Sequence, residues 1–296
     1  PFQHIADIVS AADIAFGNVE CPLTQKGVHA AKLYSFKARP QAAEGLAKAG
    51  FDVVSLANNH VLDCGRRGLL ETLETLQLKG IRCCGAGKTR AEAIASRAVK
   101  VKGLRFAFVG FSHFADGSTP MVAPATQTVV GECVAAARRQ ADVVVASFHW
   151  GDEYASRPNE EQRKLARAAV QAGADLVLGH HPHVLQGFEI FRDLASGRTS
   201  LVTYSLGNFV FDSRSPKTLE SVMLECRFSG ARLEYARVSP VAIVNFRPEV
   251  ASAEKARGIL KGLREQSHAL GTEIEIGDGE RPAGTIALSE APSNGR

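Results

Sequence analysis

What this sequence lacks narrows its chemistry before any motif is read. Aromatic residues make up only 7%, and the net charge is a modest +4 with lysines and arginines scattered among acids. No basic block is interleaved with aromatics, which excludes a nucleic-acid-binding surface of the usual kind. The six cysteines (Cys21, Cys64, Cys83, Cys84, Cys133 and Cys226) include no CxxC pair, which argues against a zinc ribbon; buried free thiols are expected, with secretion and disulfides left open by the even count. No apolar run reaches transmembrane length, and no signal peptide, heptad pattern or internal repeat is present. The chain opens on Pro1 and runs at once into structured sequence. A cytoplasmic location is therefore expected if it is complete as given. Membrane contact and a cell-envelope location are expected only if an anchor lies upstream of residue 1.

What the chain does have is an alternation of short apolar runs and helical stretches. Strands are expected at 13–17, 52–57, 104–111, 142–149, 175–179 and 201–205, and helices at 40–49, 66–79, 89–98, 130–140 and 159–172. Pro158 and Asn159 start the last helix and Gly173 stops it. Apolar runs separated by helices predict an α/β fold with a largely parallel sheet. After residue 205 the pattern changes to strand-like segments at 207–212, 221–228 and 231–245, which predict an antiparallel block. A helix over 251–267, strands at 272–276 and 284–288 and a frayed end at 291–296 complete the expectation.

The polar residues gather where the strands end, which is where α/β proteins place their functional groups. The densest group is His180-His181-Pro182-His183 after an apolar run. On an extended backbone His181 and His183 share a face, and Pro182 biases His181 toward that geometry. Asn18 and Glu20 follow the first strand. Asn58, Asn59 and His60, with Asp63, follow the second, while His149 and then Glu153 follow the fourth. Asn208 follows the run ending at 205. Singly, each has an ordinary structural explanation, such as an Asx turn for Asn208 or a hydrogen-bonded scaffold role for His149. Together they form a mixed imidazole, amide and carboxylate set suited to Mn²⁺, Fe or Zn²⁺ rather than to a thiolate site. His4, His29, His113 and His268 have no polar company and are expected to be surface or structural residues.

In the stretches FGNVECPLT (16–24), SLANNHVLDCG (55–65), FHWGDEY (148–154), LGHHPHVLQ (178–186) and YSLGNFVFD (204–212), the sequence resembles the CapA, or poly-γ-glutamate capsule synthesis, family. The resemblance covers roughly the first 250 residues. It implies a calcineurin-like metallophosphoesterase fold, a four-layer α/β/β/α sandwich, here lacking its first strand with the Gly-Asp motif. It divides the chain into a domain over 1–250 and a C-terminal helix with short strands over 251–296. It further implies two divalent metal ions (Mn, Zn or Fe), held by Glu20, Asn59, His149, His181 and His183. His60 would protonate the leaving group or stabilise the transition state. Asn18, Asn58, Asp63, Glu153, His180 and Asn208 would support the ligands or meet the substrate. The implied activity is metal-dependent hydrolysis of a phosphoester or related bond, in making or processing a capsule polymer. The substrate would be a small molecule or an anionic polymer. The alternatives are a non-catalytic polymer-binding or export component and a degenerate member that has lost a metal ligand.

Overall fold

The computed structural model describes residues 1–115, 119–193, 197–213 and 215–288. The expected frayed end at 291–296 lies outside the described residues. After a short helix α1 (Ala6–Ser10), the chain builds a parallel three-stranded sheet from β1 (Phe16–Asn18), β2 (Val53–Ser55) and β3 (Arg82–Cys84), in the order β1-β2-β3. Helices α2 (Ala42–Lys48) and α3 (Gly65–Leu78) supply the crossovers. They bury Ala43, Leu69 and Leu76 with Val54 and Cys83 on one face of this sheet.

Beyond α4 (Arg90–Ile94) come β4 (Arg97–Val101), β5 (Leu104–Ser112), α5 (Gln127–Arg138), β6 (Val143–His149), α6 (Glu160–Ala172), β7 (Leu176–His180), β8 (Leu185–Asp193) and β9 (Arg198–Leu206). These strands form a six-stranded sheet ordered β4-β5-β6-β7-β9-β8. Its four central strands are parallel, and β4 and β8 run antiparallel at the two edges. Both faces are covered, as the unbroken apolar runs require. Alternate residues of β6 separate onto the two faces: Val144, Ala146 and Phe148 meet α5 and α6, while Val143 and Val145 meet the opposite layer. Gly179 in β7 permits the close approach of its neighbours, since a Cβ there would lie 2.0 Å from the Tyr204 carbonyl oxygen. The Trp150 indole donates to that same oxygen at 2.9 Å, tying the end of β6 to β9.

The opposite layer holds two sheets rather than one. The three-stranded sheet contributes Val53 and Cys84 to it. The remainder comes from β10 (Glu220–Ser229), β11 (Arg232–Val244), β12 (Arg247–Val250), β13 (Glu275–Ile276) and β14 (Gly284–Ala287), ordered β10-β11-β14-β13 with β12 on β11. Helix α7 (Ala253–His268) packs Ile259, Leu260 and Leu263 into the same core. The layers are thus helix, sheet, a second sheet layer, and helix, an α/β/β/α sandwich. Strands β1 and β10 are each the terminal strand of their sheet. They flank an apolar groove floored by Phe106, Phe108, Leu176 and Leu178, and the groove opens into the polar pocket described below. The whole cavity measures about 2140 Å³.

Several expectations are corrected. The strand expected at 13–17 is only β1, with Asp13 and Ile14 in a bend. The helix expected at 89–98 ends at Ile94, because Ala95 takes an extended backbone and 97–101 becomes an edge strand with alternating burial. Helix α5 begins three residues early, where the Thr126 side chain caps the Val129 N–H. Segment 207–212 is not a strand. Gly207 makes one bridge to Ser221 and turns the chain at φ +74°, after which Asn208 bonds across to the Thr218 carbonyl. Strands β3, β8 and β12 were not expected. Helix α6 follows its signals, with Asn159 and Gln162 forming a reciprocal capping box and Gly173 in the left-handed region at φ +115°.

Candidate metal centre

All five polar strand ends meet at one edge of the sandwich, because β1, β2, β6, β7 and β9 run in parallel within their sheets and end on the same side. His149 is the last residue of β6 and pairs in register with His180, the last of β7. Its Nε2 lies 2.9 Å from Asn59 Oδ1, 3.2 Å from His181 Nδ1 and 3.3 Å from Glu20 Oε1. Four donor atoms from four segments therefore converge. One imidazole N–H can satisfy only one of these neighbours. Glu20 Oε1 and His149 Nδ1 are buried without any hydrogen-bond partner. Metal–nitrogen and metal–oxygen bonds of about 2.0–2.2 Å set donor–donor edges of roughly 2.8–3.6 Å, which is the spacing found. The donor set thus fits a divalent cation, and an ion among these atoms would satisfy the unpaired Glu20 Oε1.

The electrostatics favour the same chemistry. Burial, helped by neighbouring His149, holds His181 down to about 3. Burial also holds His180 to about 3, and its Nε2 has no partner. Both rings are therefore neutral near pH 7, with lone pairs available. Burial alone pushes the Glu20 carboxyl up, but His149 first, then His183 and His60, outweigh it and bring it to about 2. Glu20 is thus an anion beside the neutral His180 and His181 rings.

His181 and His183 do converge, with ring centroids 5.9 Å apart, but not by the expected route. Strand β7 stops at His180, and His181 and His183 have φ of +101° and +60°. Two left-handed residues flank Pro182 in place of an extended run, a conformation that side chains rarely adopt and that the surrounding contacts must hold. Asn208 supplies one such contact. Its Oδ1 accepts from His183 Nδ1 at 2.8 Å while its Nδ2 donates to the His183 and Thr218 carbonyls. This fixes the His183 tautomer and leaves Nε2 free.

The other named residues are supports. Asn58 Nδ2 donates to the Val19 carbonyl at 2.9 Å and to Asn18 Oδ1 at 3.2 Å, and Asn18 Nδ2 donates to Glu20 Oε2 at 3.0 Å. Together these bonds latch the loop after β1 to the loop after β2 and aim the carboxylate. The Asn58 Oδ1 also accepts from the His60 N–H. His60 Nδ1 lies 2.7 Å from the buried Asp63 carboxylate, and its ring lines the cavity. Glu153 is exposed near His181 and His183. His4, His29, His113 and His268 are exposed, as expected, although the His113 N–H donates to the His149 carbonyl at 2.9 Å. All six cysteines are free, and burial pushes Cys83, Cys84 and Cys226 up to about 12, so no thiolate is at hand.

Four contributors were not foreseen. Lys32 forms an ion pair with Asp63 and donates to the Asn59 carbonyl at 2.9 Å. Phe36 packs its ring on His60 at 4.2 Å and donates its N–H to Asp63 Oδ2 at 2.6 Å. Phe114 lies 4.3 Å from the His181 ring, and Phe211 lies 4.9 Å from that of His183. Only Phe211 belonged to a recognised motif. Lys32 and Phe36 sit in a loop without strand or helix periodicity, and their contacts reach 24 or more residues along the chain.

The fold is an α/β sandwich of the metallophosphoesterase-like kind. Residues 1–213 match the model of the family described as bacterial capsule synthesis protein PGA_cap. The chain is 33% identical to the PGA biosynthesis protein CapA of Bacillus subtilis over 278 residues, covering 90% of this chain and 72% of that protein. It is 32% identical to the capsule biosynthesis protein CapA of Bacillus anthracis, covering 76% of this chain and 56% of that one. A probable polyglutamine synthesis accessory protein of Mycobacterium tuberculosis is 30% identical, with 74% and 60% covered. The chain belongs to the PGA_cap capsule synthesis family.

Proposed function

We propose that this chain is a metal-dependent hydrolase of the phosphoesterase type that serves the synthesis or processing of a capsule polymer such as poly-γ-glutamate. The observation that carries the reading is the convergence of Asn59 Oδ1, His181 Nδ1 and Glu20 Oε1 on His149 Nε2 within 3.3 Å. The role in polymer synthesis is supported by the family and by the names of its relatives.

Glu20, Asn59, His149 and His181 would hold one divalent ion, with His183 available to a second. Bound there, the ions would supply an activated water and neutralise charge on the substrate oxygens. The chain's own residues handle the remainder. Asp63 holds His60 through Nδ1, so the opposite nitrogen faces the cavity and can give a proton to the leaving group. Asn18 and Asn58 keep Glu20 in place, and Asn208 does so for His183. Lys37 and Tyr154 line the same cavity, where an anionic substrate would meet them.

The test uses purified chain loaded with Mn²⁺ or Zn²⁺ and an aryl phosphomonoester or phosphodiester. Metal-dependent release of the phenol, abolished together with metal binding by His181→Ala plus His183→Ala, is the expected result. Full metal stoichiometry in that double variant would sink the assignment. Metal binding without turnover of any ester would favour a polymer-binding member that does no hydrolysis.

A further inference from the structure

Glu153 has no hydrogen-bond or ion-pair partner among the described residues, yet it is held in place. The segment carrying it leaves β6 at His149 and turns at Gly151 with φ +82°, where any Cβ would lie 2.5 Å from the Gln162 side chain. It then turns again at Tyr154, a non-glycine residue at φ +65°. The Tyr154 N–H donates to the Pro182 carbonyl at 2.8 Å, in the middle of the His181–His183 turn. Two turns of rare backbone geometry are thus bonded face to face, and such geometry persists where neighbours enforce it. The carboxylate of Glu153 is brought beside His181 and His183, with one ligand atom of each residue within 4.8 Å of the others. It forms no ion pair with either ring. His183 has its Nδ1 committed to Asn208, so its free nitrogen is the one available to an ion.

Glu20, His149 and His181 form a second triad of the same kind, and the two triads share only His181. The buried Glu20 serves one side of the pocket and the exposed Glu153 the other. We propose that Glu153 is itself a metal ligand, joining His183 on an ion position separate from the one at Glu20 and His149. This rests on the metal reading above and deepens it: the pocket has two carboxylate-bearing positions, one buried and one at the solvent edge. Carboxylate oxygen with imidazole nitrogen suits Mn²⁺, Fe²⁺ or Zn²⁺, and solvent at the outer position leaves room for water or substrate oxygen.

The experiment titrates Mn²⁺ into the metal-stripped full chain, read by calorimetry and by electron paramagnetic resonance. The chain as it stands is expected to take two ions with a spin-coupled signal. Glu153→Gln, which keeps the shape and removes the charge, is expected to lose one ion or bind it at least about tenfold more weakly, leaving the six-line signal of an isolated Mn²⁺. Glu20→Gln is expected to weaken the other position, and Glu153→Asp to bind between the parent and Glu153→Gln. Because Glu153 is exposed, unchanged thermal unfolding of Glu153→Gln is the control for folding. Identical stoichiometry and affinity in Glu153→Gln and the parent overturn the proposal, while metal-dependent hydrolysis by that parent keeps the metallohydrolase reading. A parent that takes up no ion overturns both.

Discussion

Around His149 the buried polar atoms converge without satisfying one another, whereas around His60 they are paired off within the protein. Glu20 Oε1, His149 Nδ1 and His180 Nε2 lack partners. A few ångströms away, Asp63 takes an ion pair from Lys32, a hydrogen bond from the Phe36 N–H and a contact with His60 Nδ1. Unpaired buried polar groups cost roughly 1–3 kcal/mol each, so a fold keeps them only where something else compensates. Under the proposed function, the first region would take a cation from outside. The second is built to hold one imidazole still with an internal carboxylate. In the proposed function that division would separate binding the metal from moving the proton, and each half can be broken on its own.

The largest effect should come from the first region. His181→Ala with His183→Ala is expected to weaken metal binding by more than about 100-fold and to remove hydrolysis with it, checked by metal analysis after dialysis. In the second region, His60→Asn is expected to lower kcat by about 10²–10⁴-fold while metal stoichiometry stays that of the parent. A parallel loss of metal there would erase the distinction between the regions. Asn208→Ala removes the acceptor that orients His183 and should weaken metal binding about 10–100-fold, measurable by competition with a chromogenic chelator. The smallest effect is expected for Lys32→Met. Asp63 keeps His60 and the Phe36 N–H, and the lysine side chain is one-third exposed, so the cost should be about 1–2 kcal/mol in denaturant unfolding. Metal affinity in that variant should match the parent.

The sequence made the first region readable because its residues sit at the ends of strands whose apolar runs are unmistakable. His149 after Val143–Phe148 and His180 after Leu176–Gly179 could be placed in this way, and helix α6 followed from its caps. The backbone at His181 and His183 was not readable, since both take left-handed φ that tertiary contacts to Tyr154 and Asn208 enforce. Strand β8 was missed because Gly187 interrupts a run that pairs only at a sheet edge. The second region was half visible. His60 and Asp63 lie three residues apart in one motif, but Lys32 and Phe36 arrive from a loop whose sequence has no periodic signal. Strands β1 and β10 stand as terminal strands beside an apolar groove, a placement that strand patterns alone do not give. No described helix is long and apolar enough to cross a membrane.

The proposed function makes the convergent atoms at His149 metal ligands. Anomalous X-ray diffraction from crystals of this chain equilibrated with Mn²⁺ tests it most directly. An anomalous peak about 2.0–2.3 Å from Glu20, Asn59, His149 and His181 is the expected result. Saturating Mn²⁺ with no peak there, and His149 Nε2 still in contact with Asn59 Oδ1, would contradict it.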